Sequence, residues 1–344
     1  MLERIRIQRY KSLYDVVIDL EPLTVLVGPN GSGKSNICEA LLFLSRLVEW
    51  ISQQSASDHI SLPNQTLAIV AKHLFGVGDF RSKFWQGREQ PIHFSFTLRT
   101  GDKLRISKDI AIPSEFLELP LEKPITETLV GLKSFDFNPA ALAQAVSTRS
   151  MDRSGLGIAY SLADILLKDR LRFNQLEERL LSLIPNVSGI VLDRQQETNQ
   201  FLLFLRDRFS NFLVPAQDIS DGTLRLLAFL TSLYAIDSSN IICFEEPENG
   251  IHPWLLHEIV DLLNHVSTEG INGRPVQVLI TTHSPAFLNL VKPEQMRAVE
   301  LDSEGRTVVS KLPLASERFQ KVIEAFAGNL GEAWFTNVFG GNPR

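Results

Sequence analysis

Several things are scarce in this 344-residue chain, and each scarcity removes a class of protein. There are two cysteines, Cys38 and Cys243, both inside apolar segments and neither part of a C-x-x-C pair. That excludes a disulfide framework and fits two small buried hydrophobes in a reducing cytosol. No apolar run approaches the ~18 residues that a membrane span needs. Cationic charge is not in excess either. Lys and Arg number 34 against 40 Asp and Glu, a net charge of −6, so nucleic acid could be met only through a local basic patch. Met1-Leu2-Glu3-Arg4-Ile5-Arg6-Ile7 alternates charge with apolar residues, which predicts a strand and no signal peptide. Internal repeats, low-complexity tracts and heptad series are missing as well. What remains is ordinary globular composition, 44% hydrophobic and 22% charged, at a length that suits one large domain with an insertion. The expectation is a soluble, cytoplasmic chain with no membrane partner.

What is present is concentrated in Val25 to Leu42, VLVGPNGSGKSNICEALL. Its centre, Gly28-Pro29-Asn30-Gly31-Ser32-Gly33-Lys34-Ser35, fits the phosphate-loop pattern G-x-x-x-x-G-K-[ST] without mismatch. Leu23 to Val27 is a β-branched apolar run, and Ile37, Ala40, Leu41, Leu44 and Val48 recur at helical spacing. The loop therefore joins a strand to a helix, as the motif requires. Its glycines let backbone N–H groups turn toward phosphate oxygens, and the helix adds the positive end of its dipole. Lys34 supplies a point charge for the β- and γ-phosphates, and Ser35 a hydroxyl for Mg²⁺. Asn30, Gly31, Ser32, Gly33, Lys34, Ser35 and Asn36 are the candidate nucleotide contacts. A glycine-rich turn before a core helix is the plain alternative; it does not account for lysine and serine in register.

Around this loop the chain reads as follows. Leu2–Gln8 and Val16–Leu20 alternate like half-buried strands joined by Tyr10-Lys11-Ser12-Leu13, where Lys11 is either solvated or leaning toward nucleotide. The helix after the loop ends near Gln53, and 52–61 is polar loop. Ile92–Leu98 and Lys103–Ile106 flank Thr100-Gly101-Asp102 as a hairpin. Leu117–Lys123 looks like an edge or connector, and Leu129–Phe137 like a strand. After a polar stretch at 149–157, Leu162–Leu171 and Phe173–Ile184 predict two amphipathic helices. Strands are expected at Ile190–Leu192, Phe201–Leu205 and Phe212–Val214. A second chemical region follows. Ile241–Phe244 is a buried strand that ends in Glu245 and Glu246, the pattern of a magnesium-side strand. Val276–Thr281 is another, ending at Thr282-His283-Ser284, an edge where such sheets place ligands. Ser220 is a good N-cap for a Leu224–Leu233 helix. Asp302-Ser303-Glu304-Gly305 reads as a turn.

Taken together, the phosphate loop, Ile219–Arg225, Glu245-Glu246, Glu248-Asn249-Gly250-Ile251-His252-Pro253 and the Thr282-His283-Ser284 strand end resemble the ATP-binding-cassette superfamily in its RecF-like and SMC-like branch. Asp136-Phe137-Asn138-Pro139, Ser220–Leu227, Leu330-Gly331-Glu332-Ala333-Trp334 and Gly340-Gly341 are similar to bacterial AAA-type ATPases related to the overcoming-lysogenisation-defect (OLD) group. The resemblance implies an α/β fold, an ABC-type P-loop NTPase with a mixed β-sheet core. Residues 1–55 and 210–344 would form that core and 56–209 an inserted helical and β lobe, within one domain. It also implies ATP and Mg²⁺ as cofactors, with Ser35 and Glu245 toward the metal. Glu246 would be the base, His283 the γ-phosphate sensor, and Ser220 and Gly222 the signature that touches a nucleotide held by a second copy. Asn249 and Gly250 would lie at the boundary between copies. Three departures stand out: Glu245 replaces the usual aspartate, Asp221 and Thr223 replace glycine and glutamine of transport cassettes, and only Gln86 and Gln90 offer themselves for a glutamine loop.

The leading expectation is an ATPase that forms a homodimer around two ATP molecules and signals to DNA or to an effector nuclease or toxin from the same operon, in repair or phage defence. A transport cassette is weakened by the signature and by the long stretch between Lys34 and Ser220. A self-contained nuclease would need more chain after His283, and a scaffold would not need Glu246. A DNA-binding patch, if there is one, would draw on Arg149, Arg153, Arg170 and Arg172, offset by Asp152, Asp169 and Glu177.

Overall fold

The computed structural model describes all residues except 54–58, 61–90, 101–103, 113–116, 119–120, 148–149, 236–238, 272 and 341–344. Gln86, Gln90, Arg149, Gly341 and the centre of the Thr100-Gly101-Asp102 turn lie outside the described residues. In chain order the strands are β1 (Leu2–Tyr10), β2 (Leu13–Asp19), β3 (Leu23–Val27), β4 (His59–Ile60), β5 (Ile92–Thr100), β6 (Leu104–Ile112), β7 (Leu117–Glu118), β8 (Lys133–Phe135), β9 (Val187–Arg194), β10 (Phe201–Asp207), β11 (Leu213–Pro215), β12 (Ile241–Glu245), β13 (Gln277–Thr282), β14 (Met296–Leu301) and β15 (Thr307–Lys311). The main helices are α1 (Lys34–Gln53), α2 (Lys123–Leu129), α3 (Ile158–Lys168), α4 (Arg170–Leu183), α5 (Asp221–Tyr234), α6 (Leu256–Thr268), α7 (Glu317–Ala325) and α8 (Leu330–Phe335). They fall into two compact units. One comprises Met1–Ser134, Ser239–Cys243 and Pro275–Arg344, the other Phe135–Ser238 and Phe244–Arg274.

The first unit holds two sheets. One is antiparallel in the order β2-β1-β5-β6. Alternation along β1 sends Ile5 and Ile7 inward and Arg4 and Arg6 to solvent, and a register shift between Leu2 and Arg4 lets Leu2 be buried as well. The other runs β15-β14-β3-β13-β12-β8, with β13 and β14 parallel to β3. All five residues of β3 are buried, as expected for a parallel strand covered on both faces. Helix α1 contributes Ile37, Cys38, Leu41, Phe43, Leu44 and Val48 to a core shared with β1 and β5. Phe43 sits at its centre, 5.9 Å from the Tyr10 ring and 6.1 Å from Phe94.

The second unit packs α3, α4, α5 and α6 with an antiparallel sheet, β11-β10-β9. An aromatic cluster anchors the end of β12 there: Phe244 lies 5.0 Å from Phe229, 5.8 Å from Phe135 and 6.3 Å from Phe137.

Two expectations are corrected. Lys123–Leu129 is a helix, between a connector expected to end at Lys123 and a strand expected to begin at Leu129, and β8 is shorter than that expected strand. Pro124 explains the error: at the first helical positions its missing N–H is no loss and its fixed φ suits the turn. The boundary between the two mid-chain helices falls at Asp169, not after Leu171. Asp169 caps α4 by accepting from the Arg172 N–H at 3.0 Å.

Candidate functional site

In the first unit the phosphate loop grows out of the register of the parallel strands. Val27 pairs with Thr282 and with Ala298, so β3 and β13 end level, Gly28 opening the loop and His283 following β13. Gly28 is fixed by proximity, since a Cβ there would stand 2.0 Å from the Val299 carbonyl oxygen. Gly33 is fixed twice over, by φ of +100° and by the Thr307 hydroxyl, 2.1 Å from where its Cβ would be. Asn30, Gly31 and Ser35 are exposed, and Ser32, Gly33 and Lys34 are buried. The Lys34 ammonium folds back over the loop, donating to the carbonyls of Gly28 (2.7 Å) and Pro29 (2.9 Å). The Ser32 hydroxyl is buried and has no hydrogen-bond partner among the described residues.

A chain of side chains braces this loop from below. Asn36 Nδ2 donates to Ser12 Oγ at 2.7 Å, Ser12 Oγ lies 2.7 Å from Thr307 Oγ1, and Thr307 Oγ1 donates to the Ser32 carbonyl at 2.9 Å. A hydroxyl has one proton. Thr307 spends its own on Ser32, so the Ser12 proton points to Thr307, and the relay runs Asn36 to Ser12 to Thr307 to the loop. The Thr307 N–H also donates to the Ser12 carbonyl at 2.9 Å. Sequence reasoning missed Ser12 and Thr307, whose separation of 295 residues leaves no local signal. Asn36, expected to contact nucleotide, donates one amide N–H to Ser12. Lys11 forms an ion pair with Glu39.

His283 is exposed at the end of β13, on a turn that Ser284 caps by accepting from the Phe287 N–H at 3.3 Å. The terminal Leu330–Trp334 stretch supports that turn. A Cβ on Gly331 would meet the Pro285 carbonyl at 2.0 Å, and the Gly331 N–H donates to Asn289 at 2.7 Å.

In the second unit Glu245 closes β12 and is buried, forming an ion pair with Arg153. Glu246, the next residue, has φ of +47°, a left-handed conformation that costs a non-glycine residue on the order of 1 kcal/mol. Asn249 holds it there: its N–H donates to the Glu246 carbonyl at 3.0 Å and its side-chain amide to the Glu246 carboxylate at 2.7 Å. Ser220 caps α5, accepting from the Thr223 N–H at 3.3 Å and donating to the Thr223 hydroxyl at 2.9 Å. Gly222 packs against Gly250 so closely that a Cβ would stand 2.2 Å from the Gly250 carbonyl oxygen. Ser220, Gly222, Asn249 and Gly250 thus form one surface of this unit. Arg153 and Arg172, assigned to a basic patch from sequence, are both engaged internally; Arg172 pairs with Asp169 and donates to the Tyr234 carbonyl.

These residues suit the groups expected of them. A loop closed to a Cβ at Gly28 and Gly33, a buried lysine and an unpartnered buried hydroxyl form an anion cradle. The Ser35 hydroxyl and the Glu245 carboxylate are hard oxygen donors of the kind Mg²⁺ takes alongside substrate phosphates. Among the described residues no group of three or more His, Cys, Asp or Glu could hold a metal alone, and no helix is long and apolar enough to cross a membrane.

Comparison with known proteins adds the following. Residues 23–289 match the family model described as "AAA domain, putative AbiEii toxin, Type IV TA system". The chain is 22% identical over 346 residues to the OLD nuclease of Thermus scotoductus, covering 90% of this chain and 64% of that relative's length. It is also 22% identical over 336 residues to an ATP/GTP phosphatase of Helicobacter pylori, covering 85% of this chain and 87% of the relative. Among solved structures it is similar to an SMC head bound to the C-winged helix domain of ScpA, with a TM-score of 0.61 at 15% identity, covering 93% and 99% of the two chains. It is also similar to an Smc head with an extended coiled coil bound to a ScpA domain from Pyrococcus furiosus, with a TM-score of 0.59 at 13% identity, covering 95% and 99%. At these identities the structures show the fold.

Proposed function

The chain belongs to the family described as AAA domain, putative AbiEii toxin, Type IV TA system, with a P-loop ATPase fold of the SMC-head and OLD-related type, and from that premise we propose that it binds ATP with Mg²⁺, hydrolyses it, and couples the cycle to association of two copies. The observation that carries this reading is the phosphate loop at Gly28–Ser35, set between a buried parallel strand and α1 and closed to any side chain at Gly28 and Gly33. Residues 1–55 and 210–344 act as the nucleotide-binding core in this proposal, and 56–209 as the inserted lobe.

Phosphoryl transfer asks a protein mainly for positioning and charge. Lys34 would exchange its bonds to the Gly28 and Pro29 carbonyls for the β- and γ-phosphate oxygens. The loop N–H groups would hold the same oxygens in place. Ser35 and Glu245 would hold Mg²⁺, which when bound neutralises charge on the β- and γ-phosphates. Glu246, oriented by Asn249, would accept the proton of the attacking water. His283 would contact the γ-phosphate. Ser220 and Gly222, at the N-terminus of α5, would offer a hydroxyl and helix N–H groups to the γ-phosphate of a second copy. The output would be a conformational signal to DNA or to an effector such as a nuclease or toxin. Support for that comes from the relatives: a nuclease, a family described as a putative toxin, and an SMC head bound to a partner domain.

The test traps the pair. Glu246→Gln keeps the hydrogen bond to Asn249 but takes no proton, so turnover should fall by about 10²–10⁴. ATP should then shift the variant toward dimer in light scattering, and Ser220→Arg added to it should abolish the shift. Because a constitutive dimer would hide a mass change, the second readout is an ATP-dependent cross-link between Ser32→Cys and Ser220→Cys. The native cysteines are both buried. If neither mass nor cross-link responds to ATP, the composite site is wrong.

A further inference from the structure

The polar stretch Met151–Gly157 reads as flexible from its composition, yet in the structure it is a closed and pinned loop. The Asp152 carboxylate accepts from the Ser154 N–H (2.8 Å), the Ser154 hydroxyl (2.7 Å) and the Leu156 N–H (3.0 Å). The loop's own carbonyls are tied to the segment after β8: Asp136 N–H donates to the Arg153 carbonyl at 2.8 Å and Asn138 N–H to the Ser154 carbonyl at 2.9 Å. Gly155 faces Leu142 with no room for a Cβ, which would lie 2.3 Å from the leucine Cδ2. A loop held at this many points aims its one cation. That cation, the Arg153 guanidinium, forms an ion pair with Glu245.

The two partners are unequally placed. The Glu245 side chain is 7% exposed, and that of Arg153 is 40% exposed. A carboxylate at that depth is costly to keep ionised without a counter-charge. A half-exposed arginine can leave for water at little cost. The carboxylate is also the one read above as a ligand for a divalent cation. A guanidinium and a dication facing one carboxylate repel each other at a few ångströms, in surroundings where charge is poorly screened.

We infer that Arg153 is a displaceable counter-ion for Glu245: its guanidinium neutralises the carboxylate until a divalent cation arrives with nucleotide, and metal loading then releases the guanidinium to solvent from a loop that stays pinned. This rests on the reading of Glu245 as a metal ligand and adds to it a route by which the segment between the phosphate loop and the signature senses the occupied site. Arg153 acts through Glu245 and is a positioning residue.

The experiment measures Mn²⁺ affinity by electron paramagnetic resonance, with a non-hydrolysable ATP analogue present throughout. Arg153→Gln, which removes the charge, should bind Mn²⁺ about tenfold more tightly than wild type, equivalent to about 1.4 kcal/mol. Arg153→Lys, which keeps the charge, should stay near wild type. Equal or weaker Mn²⁺ binding by Arg153→Gln overturns the inference. Glu245→Gln separates this failure from failure of the underlying reading: if it binds Mn²⁺ as wild type does, Glu245 is not a ligand at all. Should Arg153→Gln not fold, nuclear magnetic resonance on the wild type decides. The Arg153 guanidinium N–H signal, identified by its loss in Arg153→Lys, should exchange faster with water once Mg²⁺ and the analogue are added. Unchanged or slower exchange refutes displacement of the guanidinium.

Discussion

Replacing Thr307 by alanine should weaken ATP binding from a position that touches no nucleotide. Thr307 is nearly sealed from solvent and its hydroxyl is the last link of the relay that fixes the Ser32 carbonyl. Alanine leaves that carbonyl without its donor and the Ser12 proton without its acceptor. Each lost bond costs about 0.5–1.5 kcal/mol net, and an orphaned buried carbonyl about 1–3 kcal/mol. Together these give a loss of about 2–6 kcal/mol, read as a fall in melting temperature of roughly 3–8 °C for a chain of 344 residues. If about 1.4 kcal/mol of that is the cost of ordering the loop when nucleotide binds, the dissociation constant for ATP rises about tenfold. Thr307→Ser removes the methyl and keeps the hydroxyl, so it isolates the relay and should hold near wild-type affinity. Calorimetric titration with ATP and Mg²⁺ gives the affinities, and a thermal melt without nucleotide gives the stability. If alanine and serine bind ATP equally well, the relay does not position the loop.

Two further outcomes are expected. Gly222→Ala should lower the melting temperature without nucleotide, because its methyl would displace the Gly250 carbonyl at a cost of about 1–3 kcal/mol; a phosphate contact alone would leave that melt unchanged. The Asp19 carboxyl is held down to about 2, first by the hydrogen bond from Arg4 and further by Lys311, against the opposing effect of burial. Its folded value lies below its unfolded one, so its contribution is present above about pH 4 and fades as the pH falls toward 2. Asp19→Asn should therefore cost on the order of 1–2 kcal/mol at pH 7, after allowing for solvent screening, and progressively less as the pH falls through 2 in denaturant melts.

The parts of the site that were legible in the sequence are those whose physics is local. The strand, loop and helix at 23–53 lie where apolar periodicity and the glycine spacing put them. Ser220 caps its helix, and Asp302–Gly305 closes as a turn through the Asp302 carboxylate. Helix α2 was hidden because a proline reads as a breaker unless its place in the first turn is known. The positive φ of Glu246 has no signature in a run of acids after a strand, and the bonds from Asn249 that help hold it appear only in the structure. The ion pair of Arg153 was hidden for a different reason. Composition shows an arginine beside an aspartate, and cannot show that it pairs with a glutamate 92 residues later.

The claim on which everything else stands is that the Gly28–Ser35 loop is the nucleotide site, and Lys34→Ala tests it most directly. The ammonium donates within the loop at 2.7 and 2.9 Å and is the charge the phosphates would take over. Charge-assisted hydrogen bonds contribute about 1.5–3 kcal/mol, so its loss should weaken ATP binding by at least about tenfold. The measurement is a calorimetric titration of ATP and Mg²⁺ into wild type and variant, with circular dichroism confirming that both are folded. Micromolar-range binding by wild type, lost or greatly weakened in a folded Lys34→Ala, is the predicted result. Equal affinity in the two proteins would contradict the account.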